Sequence, residues 1–326
     1  MLPVIQLVGG LALLVFGAEW LIRGASRLAL ALGVPSLIIG LTVVAFGTSA
    51  PELAVSVKAS LTGNGGIALG NVFGSNIANV LLILGLSASI TPLAVSAQLI
   101  RVDVPIMVLS SLMVLGFAWD LRFSRLEGVL LLLSLAAYLM LQYAIGRNFS
   151  EGLEDLQESE DLVETKPQPM PLWRACVILI LGLGLLVLGA NGIVLGAVSI
   201  AEAAGISQEI IALTIVAVGT SLPEIVTSIL AAIRKEPEIA LGNVVGSNIF
   251  NIFGVLGVSS AIAPEAIGIP ATMFRHDIPI MVVVAAICVP FFITGSVVSR
   301  REGLLMFLGY LAYLGFQLYQ TAEARS

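Results

Sequence analysis

Ala45-Phe-Gly-Thr-Ser-Ala-Pro-Glu52 returns 172 residues later as Ala217-Val-Gly-Thr-Ser-Leu-Pro-Glu224. Each copy sets a Gly, two hydroxyls, a Pro and a carboxylate inside a run that is otherwise apolar for about twenty residues, the length that crosses a bilayer. A carboxylate at that depth is costly and is tolerated where a cation, a proton or water meets it. Pro51 and Pro223 have no N–H and clash with the preceding turn. Each helix is therefore expected to open near Gly47–Pro51 and Gly219–Pro223, freeing backbone carbonyls beside the acid. Such oxygens suit hard cations.

The rest of the composition agrees with a chain in lipid. Of the 326 residues, 58% are hydrophobic and 11% charged, which indicates a polytopic membrane protein and excludes a soluble domain. The net charge of −6 reflects one stretch, because 7 of the 21 acids lie between Glu151 and Glu164. Cys176 and Cys288 sit in apolar runs without metal or redox spacing and read as buried small residues. The N-terminus has no basic region before its apolar stretch, so it reads as a first span and not a cleaved signal.

Apolar runs separated by charge, Gly and Pro predict ten spans, near 4–22, 37–60, 67–90, 103–119, 127–146, 173–200, 207–233, 239–263, 277–295 and 302–320. One long polar interruption, Arg147–Pro171, is expected to be a disordered or loosely helical linker. The expected units are a five-span half over 1–146, the acidic linker over 147–171 and a second half over 172–326. The halves match beyond the first motif. Gly70-Asn-Val-Phe-Gly-Ser-Asn-Ile-Ala-Asn79 aligns with Gly242-Asn-Val-Val-Gly-Ser-Asn-Ile-Phe-Asn251, identical at eight of ten positions. Weaker echoes pair Arg101–Pro105 with Arg275–Pro279 and Ser124–Gly128 with Ser299–Gly303, and read as interfacial caps. Five spans is an odd number, so the second half enters from the opposite side and the repeats are inverted. The fold class is thus all-α, a polytopic membrane protein of ten transmembrane helices in two inverted five-helix repeats.

Orientation follows from Lys and Arg. With the N-terminus outside, ten of them fall in cytoplasmic loops and five outside, the sense of the positive-inside rule. Both termini are expected outside the cell membrane and the linker in the cytoplasm.

Two facing inverted repeats bring Glu52 and Glu224 together near the midplane, where a divalent ion neutralises the pair. The oxygens on offer are the two carboxylates, carbonyls near Ala45, Thr48, Ala217 and Thr220, and the hydroxyls of Ser49 and Ser221. They suit Ca²⁺ better than Mg²⁺, which demands tighter order and dehydrates reluctantly. His276 stands at a span boundary and neither Cys is near the motifs, so no soft ligand is expected. Ser75 and Asn79, like Ser247 and Asn251, are four apart and share a helix face. Gly70, Gly74, Gly242 and Gly246 have the small-xxx-small spacing of close helix contacts. Interhelical hydrogen bonding is the plainer role for these Ser and Asn residues, against which their symmetric recurrence beside two repeated carboxylates argues, and a buried base partner is the plainer explanation of the glutamates. No Lys or Arg lies within the interior of spans 2, 3, 7 or 8 to supply the latter. Glu19, with Arg23 one turn on, is expected to form an interfacial i,i+4 pair. The linker acids lack a calcium-loop pattern and read as a solvated charge run.

The repeated Gly-Thr-Ser-x-Pro-Glu and Gly-Asn-x-x-Gly-Ser-Asn-x-x-Asn blocks resemble the two alpha-repeats of the sodium/calcium exchanger family, over both halves. The resemblance implies that spans 2, 3, 7 and 8 enclose the ion sites while spans 1 and 6 slide against them. It implies Glu52 and Glu224 as main Ca²⁺ ligands shared with Na⁺, and carbonyls of Thr48 and Thr220 for Ca²⁺ or an outer Na⁺. Ala45, Ser49 and Ser75, with Ala217, Ser221 and Ser247, would build the flanking Na⁺ sites, and Asn79 and Asn251 would close the centre through water. Some relatives carry Asp at the position of Asn251. Here both central positions are amides, so the fixed charge is −2.

The implied activity is Na⁺/Ca²⁺ antiport by alternating access, electrogenic and independent of K⁺. The expected partners are the two ions and the bilayer, with no cofactor, no nucleic acid and no obligatory protein partner. A proton-coupled Ca²⁺ antiporter is the alternative, against which the many neutral oxygens argue. An intramembrane enzyme is disfavoured, since the five Asp residues lie at span edges or in the linker and no Ser/His or His/Glu cluster falls inside a span. A passive channel fits buried carboxylates in broken helices less well than an occluding carrier.

Overall fold

The computed structural model describes residues 2–159, 170–203 and 217–323. The first half holds α1 (Leu2–Leu32), α2 (Ser36–Thr48), α3 (Ala50–Leu61), α4 (Gly65–Ile90), α5 (Leu99–Asp120) and α6 (Arg125–Ser159). The second holds α7 (Leu172–Ala203), α8 (Ala217–Thr220), α9 (Leu222–Ile233), α10 (Pro237–Ile262), α11 (Met273–Ile293) and α12 (Arg300–Glu323). Among the described residues seven helices are long and apolar enough to cross a membrane, and α2 with α3 makes an eighth bent by 46°. The two other expected spans differ in kind. The span over 207–233 begins in residues outside the described ones, and α12 falls short in hydropathy, with Tyr310, Tyr313, Gln317 and Tyr319 along its length.

Two helices outrun their apolar stretches. Helix α1 continues from the expected end at 22 to Leu32. Helix α6 continues past 146 to Ser159, so the first part of the expected linker is helical; residues 160–169 of it lie outside the described residues. Good helix formers such as Glu and Leu extend a helix already nucleated by its buried part, and an apolar window does not register such an extension.

Several helices carry a wide, π-type turn. These turns lie at Gly40–Val44, Asn79–Leu84, Leu99–Asp103, Asn251–Leu256 and Met273–Asp277. Four of the five fall at matching places in the two halves, and two begin on Asn79 and Asn251. Such turns leave backbone groups off the regular ladder and recur at functional sites.

Short strand pairs tie the halves together. β1 (Leu93–Ala94) pairs antiparallel with β4 (Val297–Val298), and β2 (Arg122–Phe123) with β3 (Ile267–Gly268). β1 and β2 flank α5 at its two ends. The sequence counterpart of β1 is β3, which pairs with β2 at the other end of α5, so equivalent loops of the two halves lie on opposite faces of the helix layer.

The echo at Ser124 and Ser299 is a capping box in each half. Ser124 N–H and Oγ donate to Glu127 Oε2 at 2.6 and 2.9 Å, and Ser299 N–H and Oγ to Glu302 Oε2 at 2.7 Å each, closing the starts of α6 and α12. The echo at Arg101 and Arg275 is not a cap. Asp103 is fully buried, and Asp277 is partly buried. Asp103 Oδ1 accepts from Gln142 Nε2 (2.6 Å) and Tyr138 Oη (3.2 Å), and Oδ2 from Gln98 Nε2 (3.3 Å). Asp277 Oδ1 accepts from Tyr313 Oη (3.2 Å) and from Gln317 Nε2.

Helices α1 and α7 pack antiparallel along glycines spaced by seven. A β-carbon at Gly10 would lie 2.7 Å from the Gly189 carbonyl oxygen, and one at Gly182 would lie 2.5 Å from Leu21 N and 2.8 Å from the Gly17 carbonyl oxygen. Backbones at this distance leave no room for a side chain, and the gain is close van der Waals contact where lipid offers no hydrophobic drive. Gly182→Val is expected to cost about 1–3 kcal/mol through overpacking, read as a lower unfolding temperature in detergent. Gly184→Val, whose β-carbon meets no described atom within 4 Å, is expected to leave that temperature unchanged.

Candidate cation site

Both motif helices break at a serine. Ser49 (φ −82°, ψ 6°) separates α2 from α3, and Ser221 (φ −88°, ψ 4°) separates α8 from α9. The following Pro occupies the first turn of the new helix, where its missing N–H costs nothing. The expected opening is therefore present in both halves. Glu52 and Glu224 stand in the first turns of α3 and α9, where the positive end of a helix favours a carboxylate.

The two acids are buried, with 1% and 2% of their surface exposed. Their neighbours come from the opposite half. Ser49 Oγ donates to Glu224 Oε1 at 3.1 Å, and Ser221 Oγ donates to Glu52 Oε1 at 3.1 Å. Each motif thus serves the carboxylate of the other. The Thr220 and Thr48 hydroxyls also lie against Glu52 and Glu224. Glu52 Oε2 and Glu224 Oε2 have no hydrogen-bond partner among the described residues.

The second motif surrounds this pair with amides. Asn71 Nδ2 donates to the Glu52 carbonyl (3.1 Å) and to Ser56 Oγ (2.9 Å), while Asn243 Nδ2 donates to the Glu224 carbonyl (3.5 Å) and Ser228 Oγ (2.9 Å). These bonds fasten α4 to α3 and α10 to α9 at the level of the acids. Thr48 Oγ1 donates across the halves to Asn243 Oδ1 at 2.9 Å. Asn79 Nδ2 donates to Asn248 Oδ1 at 3.4 Å, again across the halves. The oxygens Asn79 Oδ1, Asn251 Oδ1 and Ser247 Oγ are buried without a partner among the described residues. Such oxygens are what a cation requires beyond the carboxylates. No three His, Cys, Asp or Glu side chains gather among the described residues, so neutral oxygens would have to complete any coordination shell.

Other expected residues stand differently. The Ala45 carbonyl, expected to be released, accepts from Ser49 N–H at 3.0 Å, and Thr48 Oγ1, whose one proton is shared with the shorter bond to Asn243, lies 3.4 Å from it. The carbonyl serves the helix break in this conformation. Ala217 opens α8, and its side chain lies outside the described residues. Ser75 is buried on α4, one turn before Asn79. Gly242 and Gly246 pack against α2, where a β-carbon at Gly246 would lie 2.5 Å from the Leu41 carbonyl oxygen. A β-carbon at Gly70 would lie 3.5 Å from Met273 Cε, and one at Gly74 would meet no described atom within 4 Å. Gly47, within the motif, accommodates Leu183 of α7, and Gly219 accommodates Val194 of the same helix.

Sequence reasoning missed several members. Asn71, Asn76, Asn243 and Asn248 lie inside the quoted motifs, and duplication was the signal that marked them. Met107 and Met281 carry no motif, yet Asn248 Nδ2 donates to Met107 Sδ (3.4 Å) and Asn76 Nδ2 to Met281 Sδ (3.6 Å). Soft atoms do therefore reach the amides of the site. Glu19 forms the expected pair with Arg23 at 2.7 Å and a second with Arg234, also at 2.7 Å, linking α1 to the end of α9.

The family model described as sodium/calcium exchanger protein matches residues 2–144 and 174–319. The putative antiporter CaxA of Alkalimonas amylolytica is 38% identical over 306 residues, covering 93% of this chain and 95% of that protein. The sodium/calcium exchanger MaX1 of Methanosarcina acetivorans is 34% identical, over 95% of this chain and 97% of its own. A structure of the sodium-calcium exchanger NCX_Mj, soaked with 2.5 mM Na⁺ and 1 mM Sr²⁺, superposes with a TM-score of 0.83 at 34% identity, covering 97% of this chain and 98% of that one. With both halves matched by one family and the whole fold shared, the chain belongs to the sodium/calcium exchanger family, whose members are multi-pass membrane transporters and not enzymes.

Proposed function

We propose that the protein exchanges Na⁺ for Ca²⁺ across a cell membrane by alternating access, with one central site shared by its two halves. The carrying observation is the reciprocal bonding of Ser49 to Glu224 and Ser221 to Glu52, which makes the two buried acids one constellation. Two carboxylates without a nearby base repel each other unless cations or protons neutralise them. Ca²⁺ balances their charge of −2, and two Na⁺ do the same.

In this reading Glu52 and Glu224 coordinate Ca²⁺ and share Na⁺, with Thr48 and Thr220 contributing oxygens. Ser49, Ser75, Ser221 and Ser247 line flanking Na⁺ positions, and Asn79 and Asn251 close the centre. Ala45 contributes when the motif turn loosens, since its carbonyl is engaged here, and Ala217 stands at the mirror position. The fold reading that goes with it is ten transmembrane helices in two inverted repeats, 1–146 and 172–326, joined by 147–171. Placement of β1 and its counterpart β3 at opposite ends of α5 supports that inversion. The relatives named as sodium/calcium exchangers support Na⁺ as the coupling ion, as do the neutral oxygens around the acids. Proton coupling would need only the titratable groups.

Glu52→Gln and Glu224→Gln keep side-chain shape and remove ligand charge. Each is expected to abolish ⁴⁵Ca²⁺ uptake into Na⁺-loaded proteoliposomes while the protein still purifies folded; uptake at the wild-type rate by either variant would sink the site assignment.

Asn79 and Asn251 add no charge, so more than two Na⁺ leave the centre positive while Ca²⁺ leaves it neutral. A surplus charge crossing the field carries about 2.3 kcal/mol per 100 mV. Exchange is expected to follow a clamped membrane potential and to run without K⁺. A voltage-independent rate, a K⁺ requirement, or uptake driven equally well by a pH gradient would contradict this.

The Lys/Arg asymmetry supports a cytoplasmic position for 147–171. In a background with Cys176 and Cys288 replaced by Ser, Glu158→Cys is expected to resist a membrane-impermeant thiol reagent in intact cells and to react after lysis. Ready labelling of intact cells would reverse the orientation.

A further inference from the structure

Outside the carboxylate pair, one four-residue constellation occurs twice. Asp103 of α5, with Met107 one turn on, meets Tyr138 and Gln142 of α6; Asp277 of α11, with Met281 one turn on, meets Tyr313 and Gln317 of α12. In each half the acid and the methionine are four residues apart, as are the tyrosine and the glutamine, so each pair shares a helix face. The acid is gripped by the next helix. The methionine, one turn on, points the other way along the chain of contacts, to an amide of the opposite half: Asn248 for Met107 and Asn76 for Met281.

A thioether sulfur accepts hydrogen bonds and donates none. Opposite Met107, the Asn248 carboxamide must therefore present its NH₂ end to the sulfur and its oxygen elsewhere. That oxygen receives Asn79 Nδ2 at 3.4 Å. Asn79 has then committed its NH₂, and its Oδ1 is left buried and without a partner among the described residues. Both methionines and the amides are almost fully buried, so water does not compete for these bonds.

Resting on the exchanger reading above, we propose that Met107 is a positioning residue for the transported cation: by fixing the Asn248 carboxamide it turns the Asn79 oxygen toward the Glu52–Glu224 site. The clamp of Gln142 and Tyr138 on Asp103 holds the α5 turn that carries the sulfur. The two halves differ in how far this relay runs. Asn76 Nδ2 reaches Met281 Sδ at 3.6 Å, but Asn76 Oδ1 has no partner among the described residues. The chain of bonds from Met281 ends at Asn76, so Met107 carries the larger effect.

The test uses the full chain, with ⁴⁵Ca²⁺ equilibrium binding in detergent and exchange rates in proteoliposomes. Met107→Leu keeps the volume and removes the acceptor. It is expected to raise the half-saturating Ca²⁺ concentration about three- to tenfold, the span of one buried hydrogen bond, with the maximal rate kept within about twofold. Met107→Gln, which restores an acceptor oxygen, is expected to recover most of that affinity, and Met281→Leu to lose less of it than Met107→Leu. Unchanged Ca²⁺ affinity in Met107→Leu overturns the proposal. So does an equal loss in the Leu and Gln variants, which would mean that Met107 only fills space. Should Met107→Leu not purify, Asn248→Leu removes the donor of the same bond, and unchanged Ca²⁺ affinity in that variant overturns the proposal. Wild-type protein that binds no Ca²⁺ would instead defeat the exchanger reading itself.

Discussion

Two carboxylates buried in an apolar layer, with no base among the described residues to neutralise them, govern this structure. Moving an ionised carboxylate out of water is far more costly than any single packing contact returns. Glu52 and Glu224 are held there by first-turn positions on α3 and α9 and by a serine from the opposite motif, and each keeps one oxygen without a hydrogen-bond partner among the described residues. The arrangement leaves charge for an ion to complete. Because each serine crosses to the other half, neither repeat holds a finished site alone, and relative motion of the halves acts directly on the bonds that define it.

The remaining architecture makes this crossing possible. Glycine removes side chains where backbones must nearly touch: Gly242 and Gly246 bring α10 onto α2, and Gly10, Gly17, Gly182 and Gly189 bring α1 onto α7. Wide turns starting at Asn79 and Asn251 re-aim the helices at the amides. Helix α7 rests on both motif glycines through Leu183 and Val194, so the antiparallel pair α1–α7 lies against the two breaks at once. Midway along α1, the Glu19 bridge to Arg234 ties that pair to the end of α9. A link between partly exposed charges is worth little in stability, but it opposes movement of α1 along α9.

Much of this was legible in the sequence because duplication doubles a weak signal. A single intramembrane Glu after Ser-x-Pro invites several explanations; two copies at one offset, each followed by a second repeated block, leave far fewer. The helix breaks, the capping boxes at Ser124 and Ser299 and the Glu19–Arg23 pair all followed from local chemistry. What escaped depends on tertiary contact. Asp103 looked interfacial because charge near a span edge gives no sign that Gln142 and Tyr138, on the next helix, will enclose it. Met107 looked like any apolar residue, and only the facing Asn248 gives its sulfur a role. Wide helical turns carry no residue signature, and the extension of α6 to Ser159 lies beyond the apolar window that ended the expected span at 146.

The central claim is that Glu52 and Glu224 form one site and not two. Equilibrium ⁴⁵Ca²⁺ binding to the purified chain, titrated to saturation and then challenged with Na⁺, tests it most directly. A shared site predicts a single Ca²⁺ per chain, displaced cooperatively by Na⁺ and lost entirely when either glutamate alone becomes Gln. Two Ca²⁺ per chain, or half the binding surviving in each single variant, would contradict it.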